Sequence, residues 1–450
     1  MRRLPALLAS VILVAGCVGG SSPSPLPTQS PVSTPGPTAT ASPTSTAPAS
    51  DIELARSNLA RATVDPARAA AAADALNAFG VGLYARLATG SDNIVFSPVS
   101  VAIALSMAQA GARGATADEM NRVLQGLGSE ELADAANALD AALAARSGTF
   151  KDSAGVDQEV VLRIANALFV QRDMALAADY LDAMAARYGA GVWTLDYASD
   201  PEAARLAINA WVAEQTEDRV EDILHPGLVT PMTRLALVNA IYLKAAWLAP
   251  FDKEETRPGS FTLGNGSSVQ VPLMHLTATL AYGAGDGWQA VELPYVGGNL
   301  AMTVILPDDL STFEALLDAD GLAAIVSSLD RTRVILTMPT FDTETWADLG
   351  SLLIAMGMPT AFDPLVADFS GLTTEAQLYI EKVIHQANIT VDEAGTAAAA
   401  ATVVVIGDTS GPGSSPIELR VDRPFLFVLR DVPTGAVVFM GRVADPSLTR

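Results

Sequence analysis

From Asp51 to Arg450 the sequence runs without a second low-complexity break, with helical patterning concentrated in its first half and strand patterning in its second. That distribution excludes the regular βαβ alternation of a parallel nucleotide-binding fold and leaves one large α+β domain as the economical reading. Pro66 to Ala88, "PARAAAAADALNAFGVGLYARLA", spaces apolar residues as a helix does and begins with proline, which a helix tolerates in its first turn. Glu130 to Ala145 and Pro201 to Gln215 repeat that spacing. Val160 to Val170, Leu235 to Leu243, Leu300 to Leu306 and Val334 to Met338 are runs of β-branched and aliphatic residues, the pattern of strands. Half of the 450 residues are hydrophobic, ample for a sizeable core.

Residues 1–50 are of another kind. Met1-Arg2-Arg3 gives a positive start, Leu4 to Val14 is an apolar run too short to span a bilayer as a mature helix, and Val14-Ala15-Gly16-Cys17 resembles a bacterial lipobox. Residues 1–16 therefore read as a lipoprotein signal peptide, with Cys17 as the lipidation site. Cys17 is also the only cysteine, so the chain makes no internal disulfide. Residues 17–50 are almost entirely Ser, Pro, Thr, Ala and Gly, which cannot bury enough apolar surface to offset ordering. At about 3.1 Å per residue in polyproline II geometry, this stalk would hold residues 51–450 up to roughly 100 Å from the lipid. The expected location is extracytoplasmic: lipid-anchored at a bacterial cell envelope or surface, or extracellular.

Several chemistries are excluded. With 27 basic against 50 acidic residues and a formal charge of −23, the chain has no basic cluster for nucleic acid or a heparin-like polyanion. His225, His275 and His385 stand apart from one another and from cysteine, so no metal site is supported. No nucleophile elbow, zinc-protease motif or P-loop occurs, and no cofactor is implied. "GAGDG" at Gly283 to Gly287 lacks the strand-to-helix context of a dinucleotide loop and reads as a turn. The sequons at Asn265 and Asn388 read as ordinary turn and strand residues.

One stretch fits neither regular structure. "VDEAGTAAAAATVVVIGDTSGPG", Val391 to Gly413, has five alanines that suit a helix, then Thr402 to Ile406, whose branching at Cβ favours a strand. It is undecided between two conformations.

A resemblance carried by ordered motifs accounts for it. "NIVFSPVSVAIALSMAQAGARGATADEM" (Asn93 to Met120), "LRIANALFV" (Leu162 to Val170), "INAWVAEQTEDRVEDIL" (Ile208 to Leu224), "LVNAIYLKAAWLAPF" (Leu237 to Phe251), "ELPYVGGNLAMTVILPDD" (Glu292 to Asp309), "ADFSGL" (Ala367 to Leu372), "VIHQANITVDEAGTAAAAAT" (Val383 to Thr402) and "RPFLFVLRDVPTGAVVFMGRVADP" (Arg423 to Pro446) follow one another as in a serpin. The likeness covers nearly all of residues 51–450. It implies an α+β fold of about nine helices around three β-sheets, a monomer, and a mobile reactive loop near 393–417. It also implies a protein that is not an enzyme but an inhibitor of serine-type endopeptidases, acting as a suicide substrate whose cut loop enters the central sheet and traps the protease as an acyl-enzyme.

Residue by residue, the resemblance makes Glu393, Gly395, Thr396, Ala397, Ala398, Ala399, Ala400, Ala401 and Thr402 the hinge. The alanines would slide between strands and the β-branched residues fill the new position, with Thr396, Ala398, Ala400, Thr402 and Val404 on the inward face. Ala394 and Ala397 depart from the family's acidic or polar pattern and are expected to face outward. Counting Glu393 as the first of seventeen positions puts the attacked bond between Thr409 and Ser410, with Asp408 or Ser410 as the other acyl-side candidates. Thr409 suggests an elastase-like or subtilisin-like target and Asp408 an acid-preferring one; a papain-like cysteine protease is a further class. Ser97, Ser100, Asn239 and His385 match the family's shutter, and Trp247 the aromatic where insertion starts. On the residues alone the serines could be helix caps, and Asn239, His385 and Trp247 ordinary core residues. A non-inhibitory surface binding module is the alternative function.

Overall fold

The structure, a computed structural model, describes residues 52–127, 130–397 and 415–448. The α-helices among them are α1 (Ala69–Leu87), α2 (Pro98–Gln109), α3 (Gly114–Val123), α4 (Glu130–Ala144), α5 (Ala178–Ala183), α6 (Pro201–Gln215), α7 (Leu310–Leu316), α8 (Ala319–Ser327) and α9 (Gly350–Met356). The strands are β1 (Glu53–Ala55), β2 (Ile94–Phe96), β3 (Gly148–Lys151), β4 (Asp157–Gln171), β5 (Val192–Leu195), β6 (Leu235–Ala246), β7 (Arg257–Thr262), β8 (Ser268–Gly285), β9 (Trp288–Pro294), β10 (Leu300–Pro307), β11 (Asp330–Pro339), β12 (Phe341–Asp348), β13 (Lys382–Val391), β14 (Gly395–Thr396), β15 (Ile417–Arg420), β16 (Phe425–Asp431) and β17 (Val437–Val443).

The helices begin where capping chemistry and proline permit. Asp200 accepts from the Ala203 N–H at 2.9 Å ahead of Pro201, the first residue of α6. Ser97 does the same for Ser100 at 3.2 Å ahead of Pro98 in α2. A 3-10 turn over Pro66–Arg68, capped by Asp65, leads into α1. All seven segments expected from periodicity coincide with elements: α1, α4, α6, β4, β6, β10 and β11.

Among the described residues the strands form two hydrogen-bonded networks. The large sheet has the order β1-β5-β4-β6-β14-β13-β12, with β3 also on β4. The other has the order β15-β11-β8-β9-β10-β16-β17-β2, with β7 on β8. The two smaller sheets implied by the resemblance are joined in this second network because the long β8 pairs with β7 and β11 and then, past Tyr282, with β9 alone. "GAGDG" is the β8–β9 hairpin turn, as expected, with Gly287 at φ +76°. Asn265 makes an Asx turn through Ser267, and Asn388 lies in β13.

The large sheet is buried on both faces, which sets the composition of its centre. Along β4, Leu168 and Val170 join the main core while Ala167 and Phe169 pack with Ile208 and Val212 of α6 on the opposite side. β6 is accordingly buried at nearly every position. Helix α2 is buried along its whole length and packs on β4, β6 and β17, as an all-round apolar helix must. Its N-terminus lies directly under the strands that concern the candidate site.

Candidate functional site

β6 and β13 run parallel and pair in register from Ala236↔Lys382 to Ile241↔Ala387. Beyond that point, among the described residues, they no longer pair with each other. The opening is entered by β14, which is antiparallel to both neighbours: Gly395 lies opposite Ala246, and Thr396 opposite Ala245 and Val391. A strand of the right polarity thus already sits at the head of the slot between two parallel strands.

The turn into β14 is built locally. The Asp392 carboxylate accepts from the N–H groups of Ala394 at 2.8 Å and Gly395 at 3.1 Å, and the Asp392 N–H donates to the Gly395 carbonyl at 3.0 Å. Burial is the main influence on that carboxyl and holds its pKa above the ordinary value, against these hydrogen bonds. Gly395 has φ +154°, and a Cβ there would lie 2.2 Å from the Ala245 carbonyl oxygen, so glycine alone fits. After β14, the Ala397 N–H donates to the Thr390 carbonyl at 3.1 Å, and Ala397 itself lies at φ +49°. Left-handed geometry costs a residue with a Cβ about 1 to 2 kcal/mol. The chain therefore leaves the sheet through a strained residue.

Trp247 clamps this turn. Its indole N–H donates to the Asp392 carbonyl and its backbone N–H to the Ala394 carbonyl, each at 2.9 Å. It is 1% exposed and stacks on Tyr295 at a centroid distance of 4.4 Å. The Phe251 N–H donates to the Glu393 carbonyl at 2.9 Å, and the Thr256 hydroxyl to the Glu393 carboxylate at 2.7 Å. Trp247 is thus both core residue and the aromatic at the mouth of the slot. Ala394 was expected to face outward and does not: its backbone is tied to Trp247 and its side chain is buried.

Below the opening, where β6 and β13 are still paired, lies a buried polar cluster. His385 and Asn239 face each other across the parallel pair, and the imidazole Nδ1 is hydrogen-bonded to Asn239 Oδ1. The other ring nitrogen, Nε2, accepts from the Ser97 N–H at 3.1 Å, so the proton sits on Nδ1. Burial pushes the His385 pKa down to about 3, and the ring is neutral. Ser97 caps α2 through Ser100, and the Ser100 hydroxyl donates to Asn166 Oδ1 at 3.0 Å. Asn166 pairs with Asn239 across β4 and β6. The four expected shutter residues therefore meet in one network, and the serines are helix caps as well. Among the described residues Asn239 Nδ2 is buried without a partner, a cost of about 1 to 3 kcal/mol in the intact molecule.

Asn166, Tyr295, Thr256 and Asp392 belong to the site and were not singled out from sequence. Only Asn166 carried a signal, as a lone amide in the apolar run "LRIANALFV". Ala398, Ala399, Ala400, Ala401, Thr402, Asp408, Thr409, Ser410 and Cys17 lie outside the described residues. Among the described residues no group of three metal-ligating side chains converges. His275 pairs with Thr337 at 2.9 Å, and His225 stacks on Trp346. No described helix is long and apolar enough to cross a membrane.

Comparison with known proteins agrees with this architecture. Residues 74–446 match the model of the family described as serpin, serine protease inhibitor. A serpin-like protein of Thermococcus kodakarensis is 38% identical, over 83% of this chain and 85% of its own. Plasminogen activator inhibitor 1 of Bos taurus is 33% identical over 84% and 93%, and Iripin-2 of Ixodes ricinus 36% over 82% and 91%. Among solved structures, the thermophilic serpin tengpin in its native state is similar with a TM-score of 0.75 and 25% identity, over 87% of this chain and 97% of that one. A tumour-suppressing serpin is similar with a TM-score of 0.73 and 26% identity, over 84% and 100%. With a matched family model over most of its length and a slot between parallel strands entered by its own hinge, the chain belongs to the serpin family, whose members are mostly protease inhibitors rather than catalysts.

Proposed function

We propose that this serpin inhibits serine-type endopeptidases as a suicide substrate, its loop after Ala397 being the bait and the slot between β6 and β13 the destination of the cut loop. The observation that carries the reading is the seating of Gly395 and Thr396, antiparallel to both strands, at the head of that slot. Continued insertion exchanges one short parallel ladder for two antiparallel ones, and antiparallel pairing is slightly the more stable per residue. Roughly fifteen inserted residues, at about 1 kcal/mol net per hydrogen bond, release on the order of 10 to 15 kcal/mol. A whole domain is usually stable by about 5 to 15 kcal/mol.

At about 3.3 Å per residue the cut end travels roughly 50 Å. A protease still attached through its acyl ester goes with it, and displacement of about 1 Å in its site already costs about a hundredfold in rate. The unpaired Asn239 Nδ2 and the strained Ala397 are costs of the intact state that the descent can relieve. No hinge residue from Thr396 to Thr402 is charged, so entry of the hinge buries no ion.

The attacked bond in this reading joins Thr409 to Ser410, and the target is an elastase-like or subtilisin-like enzyme. The protein acts as a monomer, held outside the cytoplasm by lipid on Cys17 and the stalk that follows. Incubation with elastase-like, chymotrypsin-like, subtilisin-like and papain-like proteases, a denaturing gel and the mass of the released peptide test it. A covalent band, a cut after Thr409 and a large rise in melting temperature on cleavage are expected. Cleavage that leaves no covalent band and no rise in melting temperature would make the protein a non-inhibitory binding module instead.

A further inference from the structure

A cavity of about 490 Å3 lies between the β8–β9 turn, the end of β10, and helices α7 and α8, away from the insertion slot. Its walls include Trp288, Phe313, Leu316 and Ile325, and its rim Asp286, Asp308 and Asp309. The size falls within the range of small-molecule sites, which are apolar with a few placed polar groups.

The cavity is held open from both sides. On one side, the indole of Trp288 lies against Gly285 of the "GAGDG" turn, where a Cβ would come within 2.5 Å of the ring. On the other, α7 is fastened by its far face: Glu314 accepts from the Tyr84 hydroxyl and pairs with the buried Arg442 at 2.9 Å. Arg442 in turn donates to the carbonyls of Gly90 at 2.8 Å and Asp92 at 2.9 Å. Caps from Asp309 to Thr312 and from Asp318 to Gly321 fix the helix starts. Collapse of α7 into the space would break that buried ion pair, so the cavity is preformed. Leu316, at the mouth, is left 78% exposed.

The rim selects charge. Asp309 is occupied in capping α7, and Asp308 accepts from Arg423 at 3.1 Å. Asp286 is exposed and has no ion-pair partner among the described residues. Trp288 is an aromatic of the cavity lining, and cations are attracted to aromatic faces.

We infer that this cavity binds a small hydrophobic cation, an aromatic body of two or three rings seated on Trp288 and Phe313 with one ammonium group at Asp286. The test titrates the intact protein with 9-(aminomethyl)anthracene and, separately, with anthracene-9-carboxylate, following the polarisation of the probe's own emission. The ammonium probe is expected to bind saturably at one site, at least about fivefold more tightly than the carboxylate, with a preference that shrinks as salt rises. Asp286→Asn should remove most of that preference. Ala324→Trp, from an exposed cavity-lining position on α8, and Leu316→Arg, at the exposed mouth, should each abolish binding while leaving the melting temperature unchanged. Absence of saturable binding, equal affinity for the two probes on the unmodified protein, or binding that survives Ala324→Trp would overturn the inference.

Discussion

The hydroxyl groups of Thr396 and Tyr295 are hydrogen-bonded at 2.6 Å, in a place where Thr396 is 1% exposed and Tyr295 fully buried. Burial holds the Tyr295 phenol well above its ordinary pKa, so the pair stays neutral across the physiological range. The hinge therefore enters the sheet before any cut, with its first polar side chain satisfied inside. What remains for the loop is to extend a strand already begun, which removes the costly step of nucleating one.

Thr396→Arg places a charge where the wild-type side chain is enclosed, with no acidic partner facing it among the contacts of Thr396. An unpaired buried ion costs several kcal/mol, so the hinge leaves the slot and insertion stalls. The variant is expected to be cut by the target protease at an undiminished rate but to form no covalent band, and its cleaved form should melt where the intact form does. Thr396→Val keeps the volume and forfeits one hydrogen bond, about 1 to 2 kcal/mol, and should still inhibit. A covalent complex formed by Thr396→Arg at wild-type yield would show that insertion does not pass through this position.

Gly395→Ala acts on the backbone rather than on polarity. The added methyl meets the Ala245 carbonyl oxygen and the residue must hold φ +154°, a region that costs a residue with a Cβ about 1 to 3 kcal/mol. β14 should be expelled and the bonds from Trp247 to the turn loosened. Amide exchange at Trp247 and Ala397 is expected to accelerate by tenfold or more in the intact variant, while amides of the β6–β13 register from 236 to 241 stay protected. Unchanged protection at Trp247 would mean that the clamp on Asp392 and Ala394 holds without the strand.

Much of the frame was legible because it rests on local chemistry. Proline and aspartate mark where α6 starts, and an unbroken apolar run marks β6 as central in a sheet covered on both faces. The site was legible only where a residue type is odd for its setting, as with His385 and Asn239 in apolar strands. Tyr295 and Thr256 were not, because an aromatic after a strand and a threonine before one are ordinary in themselves. They acquire their roles from the hinge segment much further along the chain, Tyr295 by reaching Thr396 and Thr256 by reaching Glu393. The burial of Ala394 was missed for a related reason: alternation assigns faces to a strand, and residues 392–394 are a turn held by the Asp392 carboxylate.

His385 supplies a pH dependence with a definite sign. Its folded-state pKa of about 3 lies below the ordinary 6.5, so the unfolded chain takes up a proton that the folded one refuses. Above about pH 6.5 the group has no effect on stability. As pH falls from 6.5 toward 3, stability is lost at up to about 1.4 kcal/mol per pH unit, which amounts to about 2 kcal/mol by pH 5. His385→Gln removes this dependence while breaking the bonds to Ser97 and Asn239, about 1 to 3 kcal/mol at neutral pH. In denaturant unfolding of the intact forms, the deficit of His385→Gln relative to wild type should therefore shrink by about 2 kcal/mol between pH 7 and pH 5. Groups common to the two proteins cancel in the difference. Two stability curves that stay parallel over that range would mean that the ring is not held neutral between the paired strands β6 and β13.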